Sequence, residues 1–347
     1  MEIHNLTKNF YNYTDYFYYD DFINIWTESY FSIYWFLQIL SITCYSITTV
    51  LGLAGNALVI WISGFKMKTV SSVWFLNLAI VDFISCICLV FRVIQRILEL
   101  HSIYIFFMCT ISFTALLANM VTSVHFLIVI SLDRCISVMW PLWAKVHRTR
   151  RMAFTLSGFM WLLNIIIFIL PFIFEFDILS VSECSLTFYT QDRIRYRILE
   201  DVAIIVRNIF IFAIPFLTIF VSYGLIVLKL KTLRRRQSPR TFMIIVAILI
   251  SFFVCWFPYH AWSLMSLTNI YSWKTDLIIS EISTILACFN CAINPILYVF
   301  LGKDFKNNFV KSIPKRVEII LSDPGDFIDG SYENDTNNRT KALDTSV

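Results

Sequence analysis

The sequence predicts an all-α membrane protein: a seven-transmembrane helix bundle with a short amphipathic eighth helix. Three observations carry this expectation. First, the 347-residue chain is 58% hydrophobic and only 15% charged, whereas soluble domains carry roughly 25% charged residues. Second, seven mostly apolar runs lie near 33–63, 70–97, 106–139, 152–174, 199–230, 241–267 and 276–301. Each reaches the ~20 residues needed to cross about 30 Å of hydrocarbon. Helices are the expected form, because lipid offers no partner to an open backbone N–H or C=O. Third, Lys and Arg cluster in the segments after runs one, three, five and seven, which together hold 17 of the 28 basic residues. With positive loops facing the cytosol, an odd number of spans places the N-terminus outside and the C-terminus inside.

The chain then divides into an outer tail (1–32), a membrane domain with its amphipathic helix (33–313) and a cytoplasmic tail (314–347). The outer tail has no basic start followed by an apolar core, so no cleaved leader is expected and the first helix carries the tail across. Asn5 and Asn12 head Asn-x-Thr sequons there and are expected to carry glycans. Tyr11, Tyr13, Tyr16, Tyr18 and Tyr19 lie among Asp15, Asp20 and Asp21. That pattern reads either as a sulfated, negative arm steering a basic ligand or as a solvated acidic spacer.

Within the runs, polar residues demand a reason, because a charge at mid-membrane costs ~2.5–3.5 kcal/mol on insertion scales. Run one carries Gly55-Asn56. Run two holds Asp82 in an otherwise apolar stretch, and further on Arg92, Gln95, Arg96 and Glu99, spaced to share one face. Run three places Asn119 and Ser123 at i, i+4 and ends in Asp133-Arg134. Run seven repeats the i, i+4 pattern with Asn290 and Asn294, just before Pro295. A carboxylate, three carboxamides and a hydroxyl admit two readings: a hydrated sodium or proton site, or interhelical hydrogen-bond glue. Asp133-Arg134 also fits mere snorkelling at an interface. Pro215, Pro258 and Pro295 lie inside runs five, six and seven, where proline frees a carbonyl and kinks the helix. Arg207 precedes Pro215 by eight residues. Its planar guanidinium suits a carboxylate, and Arg207 with Arg92 or Arg96 would make a cationic cluster. The alternative pairs Arg96 with Glu99 at the headgroups and leaves Arg92 snorkelling.

After run seven, residues 302–313 alternate basic and apolar positions and stop at Pro314, as expected of a helix lying on the inner membrane surface. The tail from 321 is polar and expected to be disordered. Arg234-Arg235-Arg236 suits anionic lipid, and scattered Ser and Thr of the tail offer sparse phosphorylation sites for arrestin. Nine cysteines are present, with no CxxC and no clustered His, so a structural zinc site is not expected.

These residues resemble rhodopsin-like, G-protein-coupled receptors over about residues 50–311. The resemblance rests on Gly55-Asn56, Leu78 through Asp82, Cys109, Asp133-Arg134-Cys135, Trp161, Pro215 with Tyr223, Cys255-Trp256-Phe257-Pro258-Tyr259 and Asn294-Pro295-Ile296-Leu297-Tyr298, in order and in the right runs. Gly64-Phe65-Lys66-Met67-Lys68, Trp74-Phe75-Leu76-Asn77-Leu78, His147-Arg148-Thr149 and Gly302-Lys303-Asp304-Phe305 look like the chemoattractant receptors, nearest to the chemerin and formyl-peptide receptors, then the anaphylatoxin receptors. The resemblance implies a Cys109–Cys184 disulfide and a sodium site of Asp82, Asn119, Ser123, Asn290 and Asn294. It also implies a ligand pocket with Arg207, Arg92 or Arg96, Tyr259 and the toggle Trp256, in which the arginines receive the carboxylate end of a peptide. Asp133, Arg134, Tyr223 and Tyr298 would open an inner cleft for a heterotrimeric G protein of the inhibitory class, with Pro258 and Pro295 in the moving helices.

Absences narrow the ligand. Cys288 stands where a retinal Schiff-base lysine would be, Leu116 where amine receptors place an aspartate, and Leu117 where formyl-peptide receptors carry an acid. The resemblance therefore implies a peptide or small-protein ligand. Val90 and Ser102 replace a proline and a tryptophan usual in the group. They motivate an alternative, a receptor that internalises ligand with weak G-protein signalling. A transporter or channel would need repeated halves and a continuous polar path, and neither is found. No nucleophile–base set, phosphate loop or nucleic-acid signature points to an enzyme or a nucleic-acid binder, and no cofactor beyond a sodium ion is expected.

Overall fold

The computed structural model describes residues 2–98, 103–173, 193–232, 239–268 and 272–301. Among them the chain is helical, and seven long helices follow the seven apolar runs. The first is Glu2–Trp61, closing in a π turn at Ile62–Lys66. Val70–Leu98 and Ile103–Met139 form the second and third spans, and Arg150–Ile173 the fourth. The fifth joins Arg193–Arg207, a π segment Asn208–Ala213, and Ile214–Thr232; Pro239–Met265 and Trp273–Leu301 are the sixth and seventh. Six of these helices are long and apolar enough over their described residues to cross a membrane. The fourth run becomes a helix of 24 residues, long enough at 1.5 Å per residue to cross the hydrocarbon. The protein is thus a multi-pass membrane bundle.

The first helix extends through the expected outer tail to Glu2, although its membrane-crossing part begins at Phe31. Once a helix is nucleated, each added residue gains a hydrogen bond at little cost, so polar sequence does not end it. Asn5, Asn12 and the acidic tyrosines lie on that extension, and their side chains lie outside the described ones. Residues 302–347, with the amphipathic segment and tail, also lie outside the described residues, as do Cys184, Glu99, Ser102 and the arginine run at 234–236.

Polarity is distributed inside out. Large apolar side chains such as Phe36, Val50, Leu162, Phe220, Val254 and Phe257 are exposed on the bundle surface, as lipid allows. Asparagines and serines are buried between helices, where small polar groups knit spans together. Asn56 Nδ2 donates to Gly52 O (2.9 Å) and to Cys291 O (2.8 Å), tying the first span to the seventh. Asn77 joins the second span to the fourth: its Nδ2 donates to Ser157 Oγ (3.1 Å) and its Oδ1 accepts from Trp161 Nε1 (2.8 Å). Pro258 and Pro295 sit inside the sixth and seventh helices. In the fifth, the widened π turn directly precedes Ile214-Pro215, absorbing the missing N–H that proline brings.

Two glycines set how closely the first span packs. A Cβ on Gly52 would fall 2.2 Å from Cys86 Sγ, and one on Gly55 would fall 2.5 Å from Cβ of the rigid Pro295 ring. Gly55→Ala is therefore expected to lower the melting temperature of the purified receptor, at a cost of ~1–3 kcal/mol for overpacking. Gly158→Ala and Gly224→Ala, where nothing lies within 4 Å, leave it unchanged in the same melting assay.

Candidate functional site

Midway through the bundle, Asp82 is completely buried. Asn119 Nδ2 donates to its Oδ1 (2.7 Å) and Asn294 Nδ2 to its Oδ2 (2.8 Å). One carboxylate thereby joins the second, third and seventh spans. Asn290 Nδ2 reaches Asn119 Oδ1 at 3.5 Å, extending the cluster. The Ser123 hydroxyl, one turn along from Asn119, is buried with no hydrogen-bond partner. All five residues singled out by spacing thus lie on three facing helices, and four of them are joined by hydrogen bonds. The donor set is oxygen-only with a single carboxylate. No group of three or more His, Cys, Asp or Glu suited to a metal ion occurs among the described residues. A buried carboxylate needs a counter-charge or a proton, and hard oxygen donors with one negative charge fit a monovalent hard cation better than a divalent one.

Beside this hub, Cys86 Sγ lies 3.1 Å from Cys291 Sγ, and both thiols are free. Cys109 is disulfide-bonded. Cys184, which the resemblance pairs with it, lies outside the described residues.

At one end of the bundle, Asp133 is held by Arg148 rather than by its neighbour Arg134. Arg148 Nε and its terminal nitrogen donate to the two carboxylate oxygens at 2.7 and 2.8 Å. Arg148 belongs to the segment after the short helix Pro141–His147, so the ion pair pins this connection to the third span. Arg134, buried, donates to Ser71 Oγ at 2.6 Å, and Arg148 shares the same hydroxyl at 3.0 Å. Tyr223 faces Arg134 and Ser131 from the fifth span. Tyr298 lies on the seventh helix, and its side chain lies outside the described ones.

At the opposite end, the arginines fall into two groups. Arg92 sits over the Tyr45 ring at 5.6 Å. Arg96 forms a 2.6 Å ion pair with Glu281 of the seventh span, and its carbonyl accepts from Gln38 Nε2. Tyr45 donates to the other Glu281 oxygen at 3.2 Å. Arg96 is therefore engaged across the bundle by Glu281, a partner that spacing along the second run did not suggest. In the second group, Arg207 lies over the Tyr259 ring at 5.2 Å, with its Nε buried and without a hydrogen-bond partner. One turn along, Trp256 is fully buried, edge-on to Tyr259 with ring centroids 6.0 Å apart. Asn208 and His260 complete this group, bonded at 3.0 Å. Sequence reasoning passed over both, and over Tyr45 and Glu281, and it gave Arg148 no partner. Only their unexpected polarity within or beside apolar runs signalled them.

The arrangement has a buried polar centre, a cationic aromatic end and an ion-paired opposite end, with no catalytic constellation among the described residues. Comparison with known proteins agrees with this. The family described as "7 transmembrane receptor (rhodopsin family)" matches residues 55–298. The chain is 36% identical over 302 residues to the C3a anaphylatoxin chemotactic receptor of Danio rerio, covering 86% of this chain and 81% of that receptor. It is 36% identical over 310 residues to Chemerin-like receptor 1 of Homo sapiens, covering 83% and 82%. To N-formyl peptide receptor 3 of Homo sapiens it is 33% identical over 307 residues, covering 84% and 87%. Fold, ordered motifs and relatives converge: the chain belongs to the rhodopsin family of seven-transmembrane, G-protein-coupled receptors, within the chemoattractant group, and is a receptor rather than an enzyme.

Proposed function

We propose that this receptor sits in the plasma membrane with its N-terminus outside, binds an extracellular peptide or small protein at the Arg207 end, and signals through an inhibitory-class heterotrimeric G protein at the Arg134 end. The observation that carries the reading is the half-buried Arg207 over Tyr259, its Nε enclosed and without a hydrogen-bond partner, at the end of the bundle opposite Arg134. A guanidinium with an unmet N–H favours a carboxylate, and the relatives are named for C3a, chemerin and N-formyl peptides. Ligand and G protein are coupled because each binds one arrangement of the helices better than the other. The latch to be released is Asp133–Arg148 with Arg134 on Ser71. Arrestin and anionic lipid complete the partners on the cytoplasmic side.

C3a, chemerin and N-formyl peptides are the probes to apply to cells expressing the chain. At least one is expected to suppress forskolin-raised cAMP, with pertussis toxin abolishing the effect and Arg207→Ala weakening potency about tenfold or more. Uptake of a probe without any cAMP change would instead favour a receptor that internalises its ligand.

A sodium ion held by Asp82, with Asn119, Ser123, Asn290 and Asn294 around it, is part of the same proposal. It would compensate the buried carboxylate and favour the resting arrangement. Replacing sodium by N-methylglucamine in a membrane binding assay is then expected to tighten agonist binding several-fold. Asp82→Asn removes that dependence. Equal sodium sensitivity in both receptors would rule the site out.

A further inference from the structure

The His260 ring is oriented by a chain of directed hydrogen bonds. Asn208 Nδ2 donates to Ile204 O (2.9 Å) and to Ser263 Oγ (3.2 Å), while the Ser263 hydroxyl donates to His260 O (3.0 Å). The carboxamide nitrogen is thereby committed, so the atom facing His260 Nδ1 at 3.0 Å is Asn208 Oδ1, an acceptor only. Nδ1 must therefore carry the ring proton. In the neutral ring this leaves Nε2 as a bare lone pair, the distinction that decides what an imidazole can bind.

That lone pair is buried. His260 is 2% exposed, and its Nε2 has no hydrogen-bond partner. Phe212 packs against the ring with centroids 4.5 Å apart, and Tyr259 lies edge-on at 6.0 Å. A buried acceptor left unmet is costly, on the order of 1–3 kcal/mol, so its persistence beside a cation calls for a ligand. Arg207 lies within electrostatic reach of this ring and over the adjacent Tyr259. Tyr259 thus has a cation over its ring and the imidazole, a hydrogen-bond acceptor, edge-on beside it.

The matching ligand group carries an anion next to a donor. A peptide C-terminus has this pattern, because the last backbone nitrogen is two bonds from the carboxylate carbon. A fatty acid has the carboxylate without the donor. Resting on the reading of Arg207 above, we propose that His260 Nε2 accepts a hydrogen bond from the last backbone N–H of a peptide whose C-terminal carboxylate is held by Arg207. His260 is then a specificity residue for peptides with a free C-terminus.

Three random heptapeptide libraries test this on the purified full-length receptor, with capture read by mass spectrometry. One has a free C-terminus, one a C-terminal amide, and one a free C-terminus with its last peptide nitrogen methylated. Wild-type receptor is expected to favour the free carboxylate over the amide, and the unmethylated over the methylated library by about tenfold. His260→Phe keeps the aromatic packing and removes the acceptor. It is expected to retain the carboxylate preference, which also reports an intact fold, and to lose the methylation penalty. His260→Gln, which returns an acceptor near Nε2, recovers part of that penalty. A wild-type receptor with no carboxylate preference overturns the Arg207 reading and this inference with it. A carboxylate preference without a methylation penalty, or a penalty that survives in His260→Phe, overturns the His260 assignment alone.

Discussion

The bundle depends on one buried carboxylate. Asp82 is fully enclosed, and its two oxygens are satisfied by carboxamides from two other helices. In lipid there is no hydrophobic force between apolar helices, so association relies on close packing and on hydrogen bonds of this kind. Moving the second, third or seventh span relative to the others breaks a contact to a buried charge. The surrounding packing is built to the same register: Asn56 reaches the Cys291 carbonyl, and Gly55 admits the Pro295 ring against the first span.

Two polar assemblies at opposite ends are joined through this centre. At one, Asp133 and Arg134 are held by Arg148 and Ser71. At the other, Arg207, Tyr259, Asn208 and His260 form a cluster across the fifth and sixth spans. Trp256 lies one turn from that cluster, packed against Phe252 and Tyr259. His260 and Tyr259, the ring beneath Arg207, belong to the same helix as Trp256 and Pro258.

The fold was legible in the sequence because hydrophobic length is a direct consequence of bilayer thickness. The central site was legible for a related reason: Asp82, Asn119 and Asn294 are polar residues where polarity is expensive, and i, i+4 spacing fixes their faces. Contacts that depend on the register between helices were not legible. Arg96 could have met Glu99 on its own face, yet it meets Glu281, because the seventh span brings that carboxylate alongside. Asn208 owes its direction to a π turn that Pro215 hints at but does not specify. Arg148 reaches Asp133 only because the short helix Pro141–His147 folds the connection back beneath the third span.

The central claim is a chain that crosses the bilayer seven times with its polar residues turned inward and its two ends on opposite sides. Epitope tags at the two termini, stained on intact and then permeabilised cells, test it most directly. The account predicts that the N-terminal tag is labelled on intact cells and the C-terminal tag only after permeabilisation. Labelling of both tags on intact cells would contradict it, since an even number of crossings cannot bring Asp82, Asn119 and Asn294 together in this arrangement.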